Sequence, residues 1–238
     1  MILERRKFIA QFCKTALTVA GGYVVAINPA NAQEEGEHDV GAIEDLMREH
    51  GVLRRVLLIY EEGLRRIAAH QDFPGNPFLT GAQLIRKFIE DYHEKNEEKF
   101  IFPKLQKNLG EPGRAVPILL QQHQAGRQLT DTIIRVSTSN AKDTRLVEPV
   151  TQFIRMYRPH AAREDTIVFP AFHQAVSDKE FAAIGEQMEK QEHKLFGEGG
   201  FAKIVEAVAE EERALDIYEL ERFTPKAEAE TAPPTEAD

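Results

Sequence analysis

Residues 93–103 read HEKNEEKFIFP and residues 160–170 read HAAREDTIVFP. Both carry one skeleton: a histidine, a glutamate four residues later, and Phe-Pro closing the segment. His93 and Glu97 form the first copy, His160 and Glu164 the second. Positions i and i+4 lie one turn apart on one face of a helix, so each copy aims an imidazole nitrogen and a carboxylate oxygen the same way. Two more histidines, His50 and His123, interrupt otherwise apolar stripes at helical spacing. Imidazole and carboxylate together, without sulfur, are donors for iron, manganese or zinc. A buried unpartnered polar group costs on the order of 2–7 kcal/mol, and a carboxylate more. Two carboxylates facing one another would also repel, and cations between them remove both costs. A lone interior histidine is most often a hydrogen-bonded core residue, and a single His-x-x-x-Glu arises by chance. The duplication, the shared Phe-Pro ending and the two extra interior histidines are what point to metal. His38, His70, His173 and His193 lack this setting and read as surface or helix-end residues.

Positioning such groups requires long helices, and the apolar periodicity supplies them. In 43–67, Ile43, Leu46, Leu53, Leu57, Leu64 and Ile67 form one stripe, with His50 and Tyr60 filling its missing steps. QDFPGNPFL (71–79) breaks it. A second helix over about 80–102 carries Ile85, Ile89, His93, Glu97 and Ile101 in one row, flanked by Leu84, Phe88, Tyr92 and Phe100. Pro103 and the stretch 107–117 mark a loop, and a third helix is expected over about 116–137 around His123. A fourth carries Leu146, Val150, Phe153, Tyr157, His160, Glu164 and Ile167, with Pro159 expected to kink it. No strand-like alternation competes. The fold class is therefore all-α: an up-down-up-down four-helix bundle over 41–175. Further helices are expected in 176–223, the first opened by a capping box at Ser177–Glu180 and ended by GEGG (197–200), the second over about 201–219. The tail 224–238 has little to bury and is expected to be disordered. Arg54 and Arg127 each follow an interior histidine by four residues, which suggests a duplicated two-helix unit about a pseudo-two-fold axis.

Composition sets outer limits. The chain has 238 residues, 42% hydrophobic and 29% charged, with a formal net charge of −9, which suits one domain with a real core and disfavours nucleic acid as a partner. No apolar run reaches the ~20 residues of a membrane-spanning helix. Residues 1–32 differ from the rest: Arg5-Arg6-Lys7 precedes a weakly apolar stretch, and Ala30-Asn31-Ala32 fits a cleavage site. Arg5-Arg6-Lys7-Phe8-Ile9 resembles a twin-arginine export signal, which implies a periplasmic mature protein after a short linker, 33–40. Cleavage would remove Cys13, the sole cysteine, leaving no thiol for disulfides, zinc–thiolate sites or nucleophilic catalysis.

With His50, HEKNE and its FP, His123, and HAARED and its FP in place, the sequence over 41–175 resembles the hemerythrin-like (HHE cation-binding) family. The resemblance implies two iron ions inside the bundle, oxo- or hydroxo-bridged, with manganese or zinc compatible with the same donors. It implies His50 and His93 on one metal, His123 and His160 on the other, and Glu97 and Glu164 bridging or capping the pair. Open coordination positions would take oxygen, peroxide or nitric oxide. The oxygen carriers of the family have a further histidine where this chain has Arg127, and an aspartate at the spacing of Asp165. Glu164 is preferred over Asp165 because it repeats the Glu97 spacing; Asp165 is then expected to face away, and Glu94 is a further candidate ligand. Tyr60, Tyr92 and Tyr157 fit either a pocket lining or the core. The expected function is an exported di-iron protein that binds or reduces a small ligand. A metal-buffering protein, or a partner-binding module with a structural metal, is the alternative.

Overall fold

The computed structural model describes residues 41–225. The export signal, the linker 33–40 and most of the 224–238 tail lie outside the described residues. Six helices follow in order: α1 Ala42–Ala68, α2 77–105, α3 Glu111–Ser139, α4 147–175, α5 Asp178–Phe196 and α6 Gly200–Ala214. No strand occurs among the described residues. Short connections make consecutive helices antiparallel. α1 packs on α2 and α4, and α3 on α2 and α4, which closes the four-helix bundle. α5 and α6 pack against each other and against α1, sheathing one side.

The apolar stripes divide into two cores with a polar layer between them. One core gathers Leu53, Val56, Tyr60, Phe78, Phe88, Ile133, Val150, Phe153 and Tyr157. The other gathers Leu46, Phe100, Phe102, Leu105, Val116, Leu119, Phe169, Phe172 and Met188. His50, His93, Glu97, His123, His160 and Glu164 occupy the layer between them, all buried.

Boundaries differ from the sequence reading at several places. α2 runs through Pro103 to Leu105 rather than ending at residue 102. α3 starts at Glu111 rather than near 116 and carries Pro117 inside it; its first turn holds a proline, where a missing N–H costs nothing. α6 stops at Ala214, before Leu215 and a left-handed Asp216 (φ 59°). α4 passes through Pro159 as continuous helix, with that ring on its exposed side. The expected cap of α5 is present: the Ser177 side chain accepts from the Glu180 N–H, and Gly197 (φ 74°) ends the helix.

Candidate metal centre

The Phe-Pro half of the repeated motif has a structural meaning. Glu97–Ile101 and Glu164–Val168 are π-helical, each beginning at the motif glutamate and ending one residue before Phe-Pro. The Phe102 N–H bonds to the Glu97 carbonyl and the Phe169 N–H to the Glu164 carbonyl, the wide i→i−5 pattern. Such a turn interrupts the α ladder and re-aims the side chains within it. Proline directly afterwards lacks an N–H that the interrupted ladder would have left poorly paired, so Pro103 and Pro170 restart the α-helix at little cost. The phenylalanines then pack on histidines from neighbouring helices. Phe102 stacks on His123 (centroids 5.6 Å, 29°) and Phe169 on His50 (5.5 Å, 17°).

Inside the layer the donor atoms converge. The Nε2 atoms of His50 and His93 lie 3.0 Å apart. Glu97 reaches both halves: Oε1 lies 3.5 Å from His93 Nε2, and Oε2 3.4 Å from His123 Nε2. Glu164 also reaches both, its Oε2 lying 3.3 Å from His50 Nε2 and 3.1 Å from His160 Nε2. Two donors each about 2.1 Å from one cation and at right angles to each other lie about 3 Å apart. The observed separations are therefore those of adjacent ligands around a metal. Two groups of potential donors result: His50, His93 and Glu97, and His123, His160 and Glu164. Both oxygens of Glu97, both of Glu164 and the His123 Nε2 are buried without a hydrogen-bond partner. Native proteins rarely leave such groups bare, and here they all face the same space. The donor set fits a pair of divalent or trivalent cations.

Behind the histidines a second ring of residues fixes each imidazole through Nδ1. Asp165 Oδ1 lies 2.6 Å from His50, Glu49 Oε2 2.8 Å from His93, Glu98 Oε1 3.1 Å from His123, and Gln122 Oε1 2.9 Å from His160. Each acceptor is the sequence neighbour of a residue in the layer. The ring runs α1 to α2, α2 to α3, α3 to α4 and α4 back to α1, so every helix orients the histidine of the next. With Nδ1–H donated outward, Nε2 is left free to face the centre. The arginine repeat closes this arrangement. Arg54 pairs with Asp165, and Arg127 with Glu98 at 2.8 Å and Glu94 at 2.6 Å. Each arginine thus neutralises the carboxylate that holds its own helix's histidine.

Asp165 does not face away, as its sequence position had suggested; it lies behind His50 of the neighbouring α1, 2.6 Å from Nδ1. Glu94 lies outside the central layer, tied to Arg127 and accepting a hydrogen bond from the Tyr157 hydroxyl at 2.7 Å. Glu94, Glu98 and His123 also form a compact acidic group, but Arg127 already bonds both of its carboxylates. Of the three tyrosines, Tyr157 is the one beside the centre, 5.3 Å ring to ring from His160. Tyr60 packs among Phe78 and Phe153 in the core. His70 and His193 are exposed, and His173 stacks on Phe181.

Electrostatics reveal how the chain balances the layer without cations. Burial alone would lower the histidine pKa values. The surrounding carboxylates overcome it, so His50 is raised, His93 is raised well above the usual range, and His123 is pushed up to about 10 by Glu97 and Glu98. Burial alone would raise Glu97 and Glu164. For Glu97, the His93 charge and the close imidazoles of His123 and His93, 3.4 and 3.5 Å from its oxygens, hold it well below the carboxylate range. For Glu164, burial and repulsion from Glu97 are outweighed by His160 and His50, and it too is lowered. Imidazolium protons take the place that metal charge would occupy.

Glu49, Glu98 and Gln122 were not singled out in the sequence. The usable signal was adjacency, since each stands next to a residue of the layer. Gly126 was also missed. It lies where the Tyr157 hydroxyl passes α3, and a Cβ there would overlap that hydroxyl. Gly126→Ala should therefore destabilise the fold by about 1–3 kcal/mol, despite alanine's helical advantage of ~1 kcal/mol. Denaturant titration checks this, and Tyr157→Phe in the same background should recover part of the loss.

The model of the hemerythrin HHE cation binding domain matches residues 41–172 of the chain. An uncharacterized protein of Mycobacterium bovis is 47% identical over 197 residues, covering 80% of this chain and 76% of that protein. Uncharacterized proteins of two Mycobacterium tuberculosis strains match with the same identity and coverage. No solved structure matches the chain.

Proposed function

Because the chain belongs to the hemerythrin HHE cation-binding family, we propose that it is an exported non-haem di-iron protein that binds or reduces a small ligand such as oxygen, peroxide or nitric oxide. The observation that carries this reading is the pair of buried carboxylates, with all four oxygens lacking hydrogen-bond partners and facing four imidazoles. Bound there, two iron ions would supply Lewis acidity and electrons for a small ligand. His50 and His93 would hold one ion and His123 and His160 the other, with Glu97 and Glu164 spanning both. The protein's own contribution is to keep Nε2 of each histidine aimed inward and bulk water out, through the second ring and the two apolar cores. A groove of about 240 Å³ lies between α1 and α4, with Leu53, Leu57, Ala161 and Tyr157 along it and Arg54 and Arg158 beside them.

The test is an optical titration of the purified iron-loaded protein. Bridged diferric absorption that shifts on adding azide, or ferrous bands that shift with nitric oxide, is the expected result. A colourless zinc protein insensitive to both would favour metal buffering or a structural metal instead. Export is part of the same proposal and rests on Arg5-Arg6 and Ala30-Asn31-Ala32. Replacing both arginines by lysine should hold the precursor in the cytoplasm, scored by fractionation; unchanged delivery would reject the twin-arginine route.

A further inference from the structure

The ring behind the histidines is two-fold in pattern but not in charge. His50 is backed by Asp165 with Arg54, and His123 by Glu98 with Arg127 and Lys95, so this pair is balanced. The other pair is not. Glu49 and Gln122 both immediately precede the interior histidine of their helix, and both reach the Nδ1 of the next helix's histidine, at 2.8 and 2.9 Å. One is a buried carboxylate and the other a neutral amide. A carboxylate accepting Nδ1–H makes the opposite nitrogen a stronger donor, and losing such a partner typically lowers metal affinity about 10–100-fold. An amide accepts the same proton with only a partial charge.

We propose that the two metal positions are unequal: the one formed by His50, His93 and Glu97 fills first and holds its ion more tightly, while the one formed by His123, His160 and Glu164 is the exchangeable position. Glu49 and Gln122 set this order as positioning residues that act through His93 and His160. The inference rests on the reading of the six central residues as a dinuclear site. It assigns ligand exchange to the His160 side, next to Tyr157.

The experiment is titration of the chelator-stripped full chain with Co²⁺ against a chromophoric competitor, followed by anomalous scattering from crystals grown at one equivalent. The wild type should bind in two steps separated by about 10–100-fold, with the first ion beside His50 and His93. Glu49→Gln should weaken the first step and Gln122→Glu strengthen the second, each bringing the two together. The exchange variant carrying both Glu49→Gln and Gln122→Glu keeps the total charge and should reverse the filling order, which a purely structural role for these residues would not do. Two equal steps in the wild type, or an unchanged order in the exchange variant, would overturn the inference and leave the dinuclear reading standing. No Co²⁺ uptake at all would overturn both.

Discussion

Glu97→Gln and Glu164→Gln should each abolish the paired centre, taking metal content from two ions per chain to one or none while the helices stay folded. Each carboxylate reaches donors from both halves, Glu97 between His93 and His123 and Glu164 between His50 and His160. An amide keeps the shape but removes a charge that two cations require and bridges them poorly. The bundle survives because both apolar cores are untouched and a buried amide costs less than an orphaned carboxylate. Asp165→Asn is graded differently. It keeps every central donor but weakens the support of His50, so affinity should fall about 10–100-fold while two ions still bind at saturating metal. Metal analysis with circular dichroism separates the cases. Two ions retained in Glu164→Gln but lost in Asp165→Asn would exchange the roles of those residues.

Stripping the metal should make stability strongly pH-dependent in a window where the loaded protein is insensitive. In the metal-free fold His123 is raised from 6.5 to about 10, and His50 and His93 are raised as well. A histidine raised on folding contributes its stability in full below the unfolded pKa and loses it as pH climbs through the folded value. The His123 contribution is thus whole below about pH 6.5 and gone above about pH 10, and those of His50 and His93 are lost in the same direction as the pH rises. Glu97 and Glu164 are lowered, so theirs is whole above the ordinary carboxylate pKa of 4.5 and lost as the solution is acidified. Between pH 6.5 and 10 the stripped protein should lose on the order of several kcal/mol as the imidazolium protons leave the carboxylates uncompensated. Denaturant melts at a series of pH values, with and without metal, check this. A flat profile for the stripped protein across that interval would mean that protons do not replace metal charge in the layer.

The bundle was legible because its signal is redundant: every helix shows a long apolar stripe, and breaks such as QDFPGNPFL separate them. The six central residues were legible for the opposite reason. They violate those stripes, and polar groups sit at such positions only when something there satisfies them. What the periodicity could not carry was the π geometry. Reading proline as a breaker placed Pro103 outside α2, where the π turn lets the helix continue; matching Glu164 to Glu97 turned Asp165 away, because its contact with His50 is made across the α4–α1 interface. The second ring was hidden for a related reason. Glu49, Glu98 and Gln122 act across helix interfaces, and pairing between helices is set by packing rather than by spacing along one chain. The arginine repeat was visible as a pattern, but its purpose, neutralising Asp165 and Glu98, required the fold.

Metal quantification with Mössbauer spectroscopy is the decisive test of the proposal that the buried His/Glu layer holds two irons. Protein produced with ⁵⁷Fe and purified without chelators should carry about two irons per chain, as antiferromagnetically coupled high-spin ions in one diferric centre. The Glu97→Gln and Glu164→Gln variants should lose that signal. Protein that folds fully and carries no metal, or carries iron whose amount and spectrum are unchanged in both variants, would contradict the claim.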